Sequence, residues 1–337
     1  MKKTGNTYCF QDPPRVLAYA SVVGKKEGEG PLSRDFDYIS DDNTFGEQTW
    51  EKAESTFART ALETALHRAG ATAADLCAVF AGDLQCQCTA SAYLMRDVDA
   101  PYLGLYGACS TMAEGLGLAA CMVAGGMMQT AAALSSSHFC AAERQFRTPL
   151  DYGGKRTPTA QWTVTGAGAV ILGGQGSACI SAVTFGRVRD LEVKDINNMG
   201  AAMAPAAAET IRRYFSDTGE APAAFDAVYT GDLGAVGSQL LAQLLERDGL
   251  VLHNHQDCGL LVFDRATQDV QAGGSGAGCS ASVLCCHVLP RLEAGKLRRV
   301  LFLSTGALMS QTTFLQGESI PGVAHLVELR CAKEETE

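Results

Sequence analysis

From Gly115 to Ala142 the chain carries no Asp, Glu, Lys or Arg and is rich in Ala, Leu and Met. Gly115, Gly117, Gly125 and Gly126 interrupt the run, and Ser135-Ser136-Ser137-His138 closes it. Those interruptions fit poorly with a membrane span, which needs about 20 consecutive apolar residues. The pattern predicts instead a helix, a Gly-Gly turn and a fully buried strand over Thr130–Ser136. A helix that is apolar on all sides belongs in the middle of a multilayer protein when it does not lie in lipid.

The rest of the chain follows the same alternation twice. Val16–Gly24 and Ile180–Val188 read as opening strands. Long helices follow at about Glu47–Ala69 and Pro205–Asp217. The first shows a capping-box start, Thr44-x-x-Glu47, and a stop at Gly70; the second has Pro205 at its first turn and stops at Gly219. The strands Cys77–Ala81 and Ala227–Thr230 come next, then the helices Cys109–Ala124 and Cys279–Ala294. The strands Thr130–Ser136 and Val300–Thr305 complete the two series. Strand–helix alternation of this kind predicts an α/β protein with mostly parallel sheets covered on both faces.

Residue identities mark the same duplication. Ala78-Val-Phe-Ala-Gly-Asp-Leu84 and Ala227-Val-Tyr-Thr-Gly-Asp-Leu233 share five of seven residues at an offset of 149. Cys109-Ser110 and Ala124-Gly125 return as Cys279-Ser280 and Ala294-Gly295 at an offset of 170. The second copy therefore carries about 21 extra residues between the two markers. The boundary falls in the Gly/Ser-rich turn Gly173–Ser177, giving halves 1–175 and 176–337. A site is expected where the two copies meet.

Composition narrows the function. A net charge of −10, with no Lys/Arg-rich block, argues against a nucleic-acid partner. Any anionic ligand has to be held by local groups, because the overall field repels it. Thirteen cysteines at irregular spacings form neither a disulfide framework nor a zinc set, and Met1–Phe10 has no signal-peptide core. Most of these thiols are expected to be small buried hydrophobes in a reducing compartment, with no metal bound.

Cys109 is the chemical focus. Tyr106-Gly-Ala-Cys-Ser-Thr-Met112 puts a cysteine at the head of a buried helix, after a strand and a Gly-containing turn. Helix-start amides there lower a thiol's pKa and also cradle anions. With its duplicated α/β setting, Gly107-Ala-Cys-Ser-Thr111 resembles the nucleophile elbow of the thiolase and ketoacyl-synthase superfamily. The resemblance implies a duplicated five-layer α-β-α-β-α sandwich with two mixed, mostly parallel sheets, commonly a homodimer, with the cysteine helix in the middle layer.

The second half departs from those enzymes. Where thiolases place an activating histidine, this chain reads Ala272-Gly-Gly-Ser275-Gly-Ala-Gly278. Leu303-Ser-Thr-Gly-Ala307 lacks the second cysteine, and Thr230-Gly-Asp-Leu233 offers neither the His nor the Asn of ketoacyl synthases. A thiol with no base is a poor acyl-transfer catalyst, so no catalytic residue and no cofactor is assigned.

A further set of segments is similar to the stage V sporulation protein AD family of spore-forming bacteria. It comprises Ser136-Ser-His-Phe-Cys-Ala-Ala-Glu-Arg-Gln-Phe-Arg147, Asp151-Tyr-Gly-Gly154, Thr163-Val-Thr-Gly-Ala-Gly-Ala169, Met199-Gly-Ala-Ala-Met-Ala-Pro-Ala-Ala-Ala208, His255-Gln-Asp-Cys-Gly259 and Ala272-Gly-Gly-Ser-Gly276. That resemblance implies a sporulation and germination protein, soluble or peripheral at the inner membrane of the forespore or spore. It would bind dipicolinic acid, with or without calcium, and help load it alongside other subunits of a membrane channel.

A planar dianion wants fixed donors at two ends of a flat slot. The candidate ligand-binding residues are Arg144 and Arg147 for the carboxylates, His138 as a further donor, and the turn Cys109, Ser110, Thr111 as an anion seat. Asp83 and Ser275 stand beside it. Each has a structural alternative. Arg144 and Arg147 can pair with Glu143 or Asp151, His138 can be a satisfied core histidine, and Asp83 and Asp232 can be strand-end caps. The competing enzyme reading, an acyl-transfer or condensing activity, keeps Cys109 as a nucleophile served by His138 and Asp83.

Overall fold

The computed structural model describes residues 1–146 and 156–332. In the first half the principal elements are β1 (Arg15–Val23), α1 (Trp50–Ala69), β2 (Ala78–Gly82), β3 (Tyr102–Gly104), α2 (Thr111–Ala124), β4 (Ala131–Ser137), α3 (Phe139–Phe146) and β5 (Gly166–Gly173). The second half repeats the order with β6 (Ala178–Thr184), α4 (Met199–Thr218), β7 (Ala227–Thr230), α5 (Gly234–Glu246) and β8 (His255–Asp257). It closes with α6 (Ala277–Val283), β9 (Arg299–Ala307) and β10 (Gly322–Cys331). A π-helical turn, Leu284–Val288, and the helical turn Leu289–Glu293 prolong α6.

The strand order is β3-β2-β4-β5-β1 in one half and β8-β7-β9-β10-β6 in the other. In each, the third-to-fourth and fourth-to-fifth pairings are antiparallel and the rest parallel, so four strands of five point the same way. The halves join through a short antiparallel contact in which Val16 faces Ala178 and Arg15 faces Cys179.

Burial sets the layers. On α1, Phe57, Ala58, Ala61, Leu62 and Ala65 recur at helical spacing and pack against the first sheet with Val22, Val79, Leu134 and Ile171. On the far side, α4 and α5 cover the second sheet through Met203, Ile211, Tyr214 and Leu241. Between the sheets lie α2 and α6, whose Met112, Leu116, Cys279 and Val283 share one core with residues of both halves. The contact is close: a Cβ on Gly168 of β5 would sit 2.3 Å from the Ala281 carbonyl oxygen of α6.

The charge-free run behaves as its pattern predicts. It forms α2, a turn at Gly125-Gly126 with Gly126 at φ +70°, and β4, every residue of which is buried. Two helix starts differ from expectation. α1 begins at Trp50 with Thr49 as its cap, its hydroxyl accepting from the Lys52 amide. Thr44 is instead bound to the Asp42 carboxylate, and Glu47 accepts from the Thr56 hydroxyl. α4 begins at Met199 under the Asn198 side chain, which leaves Pro205 inside the helix rather than in its first turn. No helix among the described residues is long and apolar enough to cross a membrane.

Candidate functional site

The carboxyl ends of the strands β2 and β9 open onto one cavity of about 790 Å³ between the halves, where open α/β sheets place their ligands. Cys109 lies at its wall. The turn Ala108–Ser110 is a single 3₁₀ turn leading into α2, and Ala108 is forced to φ +51°. A non-glycine residue in that region marks a turn held by its surroundings. Part of that hold comes from Gly306 of β9, where a Cβ would come 2.4 Å from the Gly107 carbonyl oxygen.

The thiol's partner comes from the other half. Cys109 lies against the carboxylate of Asp232, in the loop after β7. Asp232 is fully buried and also accepts from the Ser275 hydroxyl (3.0 Å), the Gly276 amide (2.9 Å) and the Thr305 hydroxyl (2.8 Å). Burial pushes the Cys109 thiol well above its ordinary range, and the Asp232 charge adds to the push. The nearby Gly276 amide and Ser275 hydroxyl oppose it and are outweighed. The result is a neutral thiol.

Behind this floor lies a second buried carboxyl, Asp257. It accepts from Thr230 Oγ1 (2.7 Å) and from the amides of Leu233 (2.9 Å) and Gly234 (3.0 Å). Burial raises it to about 6, with the Asp232 charge contributing. His255 Nε2 reaches the same Thr230 hydroxyl at 2.8 Å.

In the first half, Asp83 borders the cavity as expected, but it acts as a loop brace. Its oxygens take the Gln85 amide and both the amide and hydroxyl of Ser91, each at 2.8 Å. Glu54, beside it, accepts from Gln85 Nε2 and Ser136 Oγ. Burial, followed by the Asp83 charge, pushes it up to about 8.

The expected site residues divide. Cys109, Asp83 and Ser275 line the cavity. Ser110 and Thr111 are buried, and their hydroxyls are spent on the carbonyls of Gly107 (2.6 Å) and Ala108 (2.7 Å), closing their own turn.

His138 is the satisfied core histidine. Its Nε2 bonds the Asn43 carbonyl at 2.8 Å and its Nδ1 accepts from the Cys140 amide at 3.2 Å, while burial lowers its pKa. With both nitrogens occupied it offers the ligand no donor and Cys109 no base. Arg144 turns outward on α3, where it pairs with Glu51 and lies over the Trp50 ring. Arg147 lies outside the described residues.

The cation at the cavity is Arg156, the one basic side chain among the described lining residues. It stacks over Phe139 and Trp162, whose rings lie face to face at 3.8 Å, and it pairs with Glu143 at 2.8 Å. Gln161 spans the halves, donating to the backbone carbonyls of Asp232 (2.7 Å) and Gly274 (2.8 Å). No motif marked Arg156 or Gln161. Asp232 carried a signal, its place in the repeated Gly-Asp-Leu.

A family model described as stage V sporulation protein AD matches residues 4–330. Stage V sporulation protein AD of Bacillus subtilis (strain 168) is 42% identical over 328 residues, covering 96% of this chain and 97% of that protein. Among solved structures, OleA of Xanthomonas campestris aligns with a TM-score of 0.62 at 12% identity, covering 98% of this chain and 100% of that one. A cerulenin-bound OleA co-crystal gives 0.59 at 15% identity, with 98% and 100% coverage. The 3-oxoacyl-[acyl-carrier-protein] synthase III of Aquifex aeolicus VF5 gives 0.56 at 14%, with 94% and 99% coverage. At these identities the likeness is one of fold, and that fold is the thiolase-like one.

Proposed function

The chain belongs to the stage V sporulation protein AD family, and on that premise we propose that it is a non-catalytic thiolase-fold protein that binds dipicolinic acid. The ligand enters the cavity beside Cys109, and the protein assists its uptake into the developing spore together with a membrane channel. The observation that carries this reading is the state of the thiol. Cys109 is buried beside the Asp232 carboxylate, which holds its thiol neutral, and neither His nor Lys lines the cavity among the described residues. Acyl transfer needs a thiolate, and burial beside the Asp232 charge works against forming one.

Binding has what it needs. The cavity combines one held cation with hydroxyl and amide side chains from Gln87, Thr157, Asn197, Ser310 and Thr313. Its polar and apolar lining suits a small ring bearing charged groups. The strand β3, which among the described residues has a neighbouring strand on one side only, and the exposed Leu103, Tyr106 and Tyr93 near it favour a second copy at this edge.

One feature of the site favours the enzyme reading, the strained turn that presents Cys109 at a helix start. Intact-mass measurement after incubation with acetyl- and malonyl-coenzyme A separates the two. The proposal predicts unmodified protein together with saturable dipicolinate binding. A stable acyl adduct on Cys109 would reinstate the nucleophile.

A further inference from the structure

We infer that Arg156 is the residue that holds a ligand carboxylate in this cavity, and that Glu143 occupies its place until the ligand arrives. The inference rests on the cavity being the dipicolinate site.

An anion entering here meets an unfavourable field. Asp83 and Glu143 line the cavity, and the fully buried Asp232 lies behind Ser275 and Cys109. In a protein of net charge −10, a cation fixed at the wall is the strongest available hold on a carboxylate. Arg156 is the one such group among the described lining residues.

Its mounting is that of a held guanidinium rather than a solvated side chain. The side chain is 17% exposed, and its guanidinium carbon lies 5.1 Å from the Phe139 ring centre and 4.9 Å from that of Trp162. Those two rings are within 9° of parallel, and Lys26 Nζ lies 4.1 Å from the Trp162 centre, anchored to the Gln268 carbonyl at 2.6 Å. The aromatic pair therefore supports two cations, and Arg156 is the one that borders the cavity. A planar fork stacked in this way retains little freedom for binding to remove.

Among the described residues, two polar contacts now engage it. One terminal nitrogen reaches the Gln161 carbonyl at 3.3 Å and the other reaches Glu143 Oε1 at 2.8 Å. Glu143 sits in the same wall and is itself mostly buried. A carboxylate on Arg156 is thus the arrangement the resting cavity already holds. An incoming dicarboxylate either takes over that contact or binds the remaining N–H edge against the Glu143 charge. In both cases Glu143 opposes binding and Arg156 drives it.

The test is calorimetric titration of dipicolinate into the full-length wild type, Arg156→Ala, Arg156→Lys and Glu143→Gln, each checked for folding by circular dichroism. Arg156→Ala should weaken binding at least tenfold, and Arg156→Lys should recover only part of it. Glu143→Gln should tighten binding at least threefold, a sign that partial unfolding cannot produce.

A wild type that binds, with Arg156→Ala within twofold of it or Glu143→Gln weaker than it, overturns this inference alone. If Arg156→Ala does not fold, the Lys and Gln variants decide the matter in the same directions. A folded wild type that takes up no dipicolinate overturns the reading of the cavity as well.

Discussion

At the scale of single residues, the neighbours of Cys109 decide its chemistry. Burial and the Asp232 charge hold the thiol neutral, so iodoacetamide near neutral pH should modify it no faster than the exposed Cys86. Hyper-reactivity of Cys109 in peptide mapping would contradict that. Asp232→Asn removes the charge and turns an amide N–H₂ toward groups that already donate. The expected loss of stability is about 1–3 kcal/mol, read from urea unfolding.

The sequence made the cysteine and the missing second-half histidine legible, because both are local identities. It did not show which carboxylate meets the thiol. The repeat makes Asp83 and Asp232 equivalent, and only the packing of α2 against the opposite half selects Asp232. Arg144 misled for a related reason: the Glu-Arg-Gln-Phe-Arg block is visible in the chain, but the helical phase of α3 turns Arg144 toward Glu51.

The elements depend on a few close approaches. Gly306→Ala places a methyl group 2.4 Å from the Gly107 carbonyl oxygen and 3.1 Å from the Ser110 amide. The turn under Cys109 must shift, at an expected cost of about 1–3 kcal/mol. Dipicolinate affinity should fall with it, because the cavity wall moves. Unchanged melting and unchanged affinity would show that the turn does not depend on this contact. Asn198→Ala, which uncaps α4, should cost about 1 kcal/mol in the same assay.

Most elements were legible from hydrophobic period, β4 and α1 above all, because burial on one or both faces writes itself into the sequence. Helix starts were less so. Thr44 and Glu47 have the spacing of a capping box, but Asp42 claims the Thr44 hydroxyl and the true cap is Thr49. Pro205 signalled a first turn, yet its missing N–H is accommodated within a helix buried along most of its length.

At the scale of the whole molecule, the duplication and its layering followed from the repeated segments, whereas the cavity's cation did not, because Arg156 acquires meaning only beside Phe139 and Trp162. Light scattering in detergent-free buffer should give twice the chain mass, with β3 at the interface; a stable monomer would count against it.

Stability should also depend on pH in a definite direction. Glu54 is pushed up to about 8 and Glu27 to about 7, chiefly by burial, so each favours folding fully below its unfolded value of about 4.5 and loses that contribution as pH rises through the folded one. The buried His255, His287 and His325, lowered to about 4, act in the opposite sense, but only below their unfolded value of about 6.5. Between about pH 6.5 and 8.5 the melting temperature should therefore fall as pH rises, and Glu54→Gln should flatten the slope.

The central claim is that this cavity binds dipicolinate without using Cys109 as a nucleophile. Its most direct test is calorimetric titration of dipicolinate into the wild type and Cys109→Ala. The account predicts one saturable site per chain in both, with affinities within about fivefold, roughly the effect of losing one neutral donor. An absence of binding to the folded wild type would contradict it.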